Sequence, residues 1–138
     1  MITVTVDASI SLGLVLRDED PVAFRGLLEA AVTGDVLLVT APHWPLEVGN
    51  GLLGAVRRKR IGMGDAERAY ARLLGLPIVV RPHVPFEDVL ARAATDELSV
   101  YDAAYLSIAI RDRSSLATTD RRLAAAAAVH GLLFTPHT

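Results

Sequence analysis

The sequence predicts an α/β fold, a three-layer α/β/α arrangement with a mostly parallel sheet covered by helices on both faces. Short apolar runs alternate with helical patterns along the whole chain. The runs are continuously apolar, as strands buried on both faces are. The hydrophobic fraction is 51% and the mean hydropathy +0.36, which fits a sheet covered twice and excludes a disordered chain. With 138 residues the chain can bury a substantial core and is expected to form one domain over 1–138.

The elements follow in order. Thr3 to Val6 is β-branched and reads as the first strand, ending at Asp7, and Ala8 to Leu16 reads as a helix. Asp20-Pro21 opens a second helix, as N-cap and first-turn proline, and Gly34-Asp35 closes it. Val36 to Thr40 is the second strand, and Pro42 and Pro45 mark entry to a long helix reaching about Arg60. Gly62 and Gly64 break that helix, and Asp65 to Leu74 forms the next. Pro77 to Val80 is a third strand, followed by a helix from Phe86 to about Ala94. Ser99 caps a helix from Val100 to Arg111, and Ser115 to Thr118 is a fourth strand. Asp120 to Val129, with five consecutive alanines, is helical and stops at His130-Gly131. Leu132 to Phe134 reads as a last edge strand.

Several chemistries are excluded. The net charge of −2 argues against coating nucleic acid by bulk charge. No cysteine is present, so disulfides and thiolate metal sites are out. No apolar run approaches a membrane span, and the first residues read as a strand and not as a signal peptide, so the cytoplasm is the expected compartment. No G-x-G-x-x-G follows the first strand, no G-x-S-x-G is present, and Asp7-Ala8-Ser9 lacks the second aspartate of a phosphatase signature. The only lysine, Lys59, precedes Arg60 and not Ser or Thr, which rules out a P-loop. The other thirteen of the fourteen basic residues are arginines, with runs at Arg57-Arg58-Lys59-Arg60 and Arg121-Arg122. Arginine grips phosphate through a planar fork, although for any single run solvated helix ends are the better account.

Four acids, Asp7, Glu47, Asp102 and Asp120, sit where a strand or loop hands over to a helix. In parallel sheets ligands bind beyond the carboxyl ends of the strands, and all four acids can face that edge. Crowded carboxylates repel, so such a pocket calls for divalent metal ions. Helix capping is the rival explanation for Asp7, Asp102 (three after Ser99) and Asp120. Glu47 resists it, standing among apolar neighbours in Trp44-Pro45-Leu46-Glu47-Val48. With no Lys or Arg in the preceding turn, it needs a metal or a distant arginine, because an unpaired buried carboxylate costs about 1–3 kcal/mol or more. Ser9 can hydrogen-bond an acid, Asn50 lies one turn from Glu47, and Thr118 can share the direction of Asp120. His43, beside two prolines, reads as a loop residue, and His130 and His137 lack metal-ligand spacing. Trp44 reads as a core or interface anchor, and Gly51 and Gly54 as points of close approach.

Four segments taken together resemble the PIN-domain ribonucleases, specifically the VapC-type toxins of toxin–antitoxin pairs. They are Val6-Asp7-Ala8-Ser9, Ala41-Pro42 through Glu47-Val48 to Asn50, Tyr101-Asp102-Ala103-Ala104-Tyr105-Leu106, and Leu116 through Thr118-Thr119-Asp120 to Leu123. The resemblance implies a metal-dependent endoribonuclease using Mg²⁺ or Mn²⁺. Asp7, Glu47, Asp102 and Asp120 would form the acidic quartet, with Asp7, Asp102 and Asp120 on the metal. Ser9, Asn50 and Thr118 would support them. It also implies a VapB-type antitoxin partner and a homodimer or hetero-oligomer. A PIN-like scaffold that only binds protein is the alternative, and four intact acids argue against it.

Overall fold

The computed structural model describes residues 1–16 and 22–136. Four strands, β1 (Ile2–Val6), β2 (Val36–Thr40), β3 (Ile78–Val80) and β4 (Ser115–Ala117), form one sheet in the order β3-β2-β1-β4 with every pairing parallel. Among the described residues seven helices accompany them: α1 (Ala8–Leu12), α2 (Val22–Val32), α3 (Trp44–Arg57), α4 (Met63–Leu74), α5 (Phe86–Asp96), α6 (Val100–Asp112) and α7 (Arg121–Val129). The three-layer α/β/α prediction therefore holds.

Both faces of the sheet are packed. Val4 and Val6, two apart and hence on one face, join Leu38, Ala117, Ile10, Phe24 and Leu27 in a core beneath α2. Leu116 turns the other way, into a larger core with side chains of α3, α6 and α7. Thr5, fully buried, contacts the Ser114 hydroxyl at 2.6 Å. Thr40 donates to the Val6 carbonyl at 2.7 Å, pinning the ends of β1 and β2 together. Trp44 is a core anchor, its indole N–H donating to Ser11 at 3.0 Å. A Cβ at Gly51 would collide with Leu12 of α1, so the expected close approach is real there; at Gly54 the nearest neighbour is only Arg58 of its own helix end.

The differences from the sequence reading lie at element ends. The first helix stops at Leu12 and continues as turns closed by bonds from Val15 and Leu16 to the Leu12 carbonyl. The expected start of α2 at Asp20-Pro21 lies outside the described residues. The fourth helix starts at Met63, because the Gly62 N–H donates to the Asp65 carboxylate and makes Gly62 its cap. The third helix ends at Arg57, since Lys59 takes a left-handed conformation (φ 59°) and lets Arg60 N–H reach the Ala55 carbonyl. Glu97 (φ 55°) ends α5 by the same device, and Arg113 (φ 53°) ends α6. Leu132 to Phe134 is not a strand. It forms a single bridge, Leu116 with Leu133, closed by Leu116 N–H to Leu132 and Phe134 N–H to Leu116. Among the described residues no helix is long and apolar enough to cross a membrane.

A side chain with a Cβ is disfavoured in the left-handed region by about 1 kcal/mol or more. Lys59→Gly is therefore expected to raise stability by about 1 kcal/mol, read as a higher midpoint in chemical denaturation; an unchanged or lower midpoint contradicts it.

Candidate functional site

β1 leads to β2 on one side, while the chain reaches β4 on the other side only after β3. The carboxyl ends of β1 and β4 are thus the topological switch point of the sheet, where a parallel sheet opens a crevice. Asp7 follows β1 directly and Thr118 follows β4 directly.

Asp7 is 3% exposed. Its Oδ1 accepts from the Ile10 amide at 3.1 Å, so it is the N-cap of α1, and the Ser9 hydroxyl lies 2.8 and 2.9 Å from its two oxygens. Thr118 donates its hydroxyl to Oδ2 at 2.5 Å. Two relays enter Asp7 from the loop before α7. Asp120 N–H donates to Thr118 Oγ1, and Thr119 N–H donates to Ser9 Oγ, each at 3.0 Å. With their lone pairs so engaged, both hydroxyls turn their protons toward the carboxylate. Burial pushes Asp7 up to about 6, against the Thr118, Ile10 and Ser9 bonds, and the charge of Asp102 adds to the rise.

Asp102 lies in the first turn of α6. Ser99 caps this helix by accepting from the Asp102 amide at 3.1 Å, while the Asp102 carboxylate makes no reciprocal capping bond. The capping explanation thus accounts for the Asp102 backbone and leaves its side chain available. Burial, then the charges of Asp120 and Glu47, raise its pKa. Asp120 is exposed and caps α7, its Oδ1 accepting from the Leu123 amide at 2.9 Å.

Glu47 lies in the first turn of α3. Burial pushes its pKa up, but His43 and the Tyr105 hydroxyl outweigh burial and hold it below the ordinary value, with Asp120 opposing them. Its Oε1 is buried and lies 3.2 Å from His43 Nε2, without a hydrogen bond of good geometry. The Tyr105 hydroxyl is likewise buried and unsatisfied, and burial followed by the Glu47 charge pushes its ionisation further up. The structure adds one neighbour to the expectation that Glu47 needs a metal or a distant arginine, and leaves Oε1 without a hydrogen bond. A histidine one turn earlier already faces it.

The structure thus gathers Asp7, Glu47, Asp102 and Asp120, with Ser9 and Thr118, within one electrostatic field at one edge. Asn50 does not join them: it is exposed in a groove between α3 and α4 with Leu46, Leu53, Met63 and Tyr70, and makes no bond to Glu47. Sequence reasoning passed over His43 and Tyr105; the i, i+4 spacing of His43 and Glu47 was the signal that could have found the first. Of the basic runs, Arg57 to Arg60 closes the far end of α3, with Arg57 about 15 Å of helix from Glu47 at 1.5 Å per residue. Arg121 and Arg122 are exposed immediately after Asp120. His130 pairs with Asp96 at 3.2 Å, and His137 lies outside the described residues.

Among the described residues no three histidine or acidic side chains form a ready-made ion cage. The donor set nevertheless fits a hard divalent cation. It is all oxygen, it includes the orphaned buried Glu47 Oε1, and its members raise one another's pKa as anions awaiting a positive charge do.

The sequence model of the PIN domain matches residues 4–129. Among solved structures the chain is similar to PAE2754 from Pyrobaculum aerophilum, with 26% identity and a TM-score of 0.73 over 91% of this chain and 79% of that one. It is also similar in fold to VapC20 of Mycobacterium tuberculosis, a sarcin–ricin loop cleaving toxin, with 20% identity and a TM-score of 0.62 over 89% of this chain and 94% of that one. No curated protein matches the sequence.

A carboxyl group raised in the folded state binds more protons there than in the unfolded chain, so its contribution to stability is lost as pH rises from near 4 through about 6. In metal-free protein Asp7→Asn is therefore expected to be more stable than the parent above pH 7. The gain is bounded by about 3 kcal/mol and disappears near pH 4. Thermal melts across this range check it, and a gain that persists at pH 4 contradicts it.

Proposed function

The chain belongs to the PIN-domain family, whose members are generally nucleases, and from that premise we propose that it is a Mg²⁺- or Mn²⁺-dependent endoribonuclease, the toxin of a type II toxin–antitoxin pair. The observation that carries the reading is the convergence of four acids, from the ends of β1 and β4 and the starts of α3 and α6, at the switch point of the sheet. PIN domains generally depend on divalent metal. The fold likeness to VapC20, itself a toxin that cleaves the sarcin–ricin loop, supports an RNA substrate and a VapB-type antitoxin partner. A single PIN-like domain over 1–138, assembly as a homodimer or with the antitoxin, and a cytoplasmic location belong to the same reading.

In this mechanism Asp7, Asp102 and Asp120 would hold the ion. Such an ion, when bound, would supply Lewis acidity to the phosphate and to the attacking water. Ser9 and Thr118 hold the Asp7 carboxylate in a fixed orientation by donating to it. Glu47, kept ionised at neutral pH, orients the water and takes its proton. Arg121 and Arg122 lie beside Asp120, where arginine forks can place the RNA backbone without reading its sequence. Unpaired loop RNA suits such a site, because strands that are not stacked in a duplex can enter it.

Purified, antitoxin-free protein incubated with total RNA is expected to give discrete cuts with Mg²⁺ or Mn²⁺ and none with EDTA. Asp7→Asn, Asp102→Asn and Glu47→Gln should each lose about 10²-fold or more in rate, the scale on which removing a group that stabilises developing charge acts. Folded, inhibitor-free protein that cuts nothing under any metal would overturn the reading in favour of a protein-binding scaffold.

A further inference from the structure

We propose that His43 is a positioning residue: its Nε2–H, donated to the Tyr101 carbonyl, ties the start of α3 to the start of α6 and keeps the imidazole against the Glu47 carboxylate. The effect on rate rests on the nuclease reading above, while the contact itself does not. His43 Nε2 lies 3.0 Å from the Tyr101 carbonyl oxygen and 3.2 Å from Glu47 Oε1. A carbonyl oxygen only accepts, and so does an ionised carboxylate. Nε2 must therefore carry the proton, which fixes the tautomer; it donates to the Tyr101 carbonyl, while Glu47 Oε1 lies in ion-pair range of the same nitrogen without a hydrogen bond to it.

The imidazole is held in that orientation by its neighbours. Its centroid lies 4.5 Å from the Tyr105 ring, 5.9 Å from the Tyr101 ring and 5.9 Å from a nearly parallel His83 ring. The ordinary alternative is that His43 serves α3 as an N-cap. Its side chain makes no capping bond, whereas Asp7, Ser99 and Asp120 all do so in their own helices. The ring thus points away from the amides it would cap and toward the acid site. Through Tyr101 it contacts the residue immediately before Asp102, so one side chain sets the separation of the Glu47 and Asp102 helices.

The test compares His43→Leu with His43→Gln, whose terminal amide still offers an N–H of similar reach. Cleavage of the RNA that the wild type cuts is measured as kcat and KM, with thermal melts confirming the fold. His43→Leu is expected to lower kcat about 10- to 100-fold with KM unchanged, and His43→Gln to recover most of the loss. Long-range ¹H–¹⁵N spectra of the wild type should place the His43 proton on Nε2 and show its resonance displaced in Glu47→Gln. Wild-type kcat in His43→Leu overturns the proposal, as does equal damage in both variants or a proton on Nδ1 alone. If the wild type cuts no RNA, the nuclease reading falls. The spectra then decide the proposal alone: an Nε2–H that responds to Glu47→Gln upholds the tie, and one that does not refutes it.

Discussion

A carboxylate taken out of water at the end of the central strand must be matched by donors, and matching Asp7 organises the whole edge of the sheet. Its donors come from its own helix turn, through Ile10 and Ser9, and from the far end of the sequence, through Thr118. The last of these joins residues 111 positions apart. It is possible only because β4 is laid beside β1 in parallel, with Val6 paired to Ala117. The register of two strands and the solvation of one acid are therefore the same constraint. The donors do not fully offset the burial, and the acid remains one that takes up a proton or a cation readily.

Capping and chemistry coexist at this edge. Asp7 and Asp120 cap their helices through one oxygen each, and Asp102 lends its amide to Ser99 while keeping its carboxylate out of the cap. Helix N-termini point partial positive charge at the crevice, which eases the mutual repulsion of the acids without neutralising it. Glu47 sits in a first turn as well, but depends on side chains from α6 and from the residue before its own helix.

Much of this was legible in the sequence, because strands buried on both faces are continuous apolar runs and β2 could be bounded to the residue. The acids were legible because each falls at a junction. Helix ends were not, where the stop is a left-handed residue other than glycine. Lys59, Glu97 and Arg113 adopt that conformation because tertiary packing and the following amide bonds make it worthwhile, and side-chain identity carries no mark of it. Gly131, by contrast, was read correctly because it is the residue type that the geometry favours. His43 was missed because its role depends on Tyr101 and Tyr105 of a helix more than fifty residues away.

The two margins of the sheet are guarded differently. Beside β4, the segment at Leu132 to Phe134 occupies the Leu116 backbone from both sides of one bridge. At the other margin β3 is only three residues long and lies between Pro77 and Pro82, neither of which can donate a ladder bond. Val79 and Val80 are half exposed there, an apolar edge that would template foreign strands if it were longer. With one margin occupied and the other too short to extend, the sheet offers poor nucleation for cross-β growth. Chains that meet at high concentration will therefore tend to associate through side chains rather than by continuing the sheet.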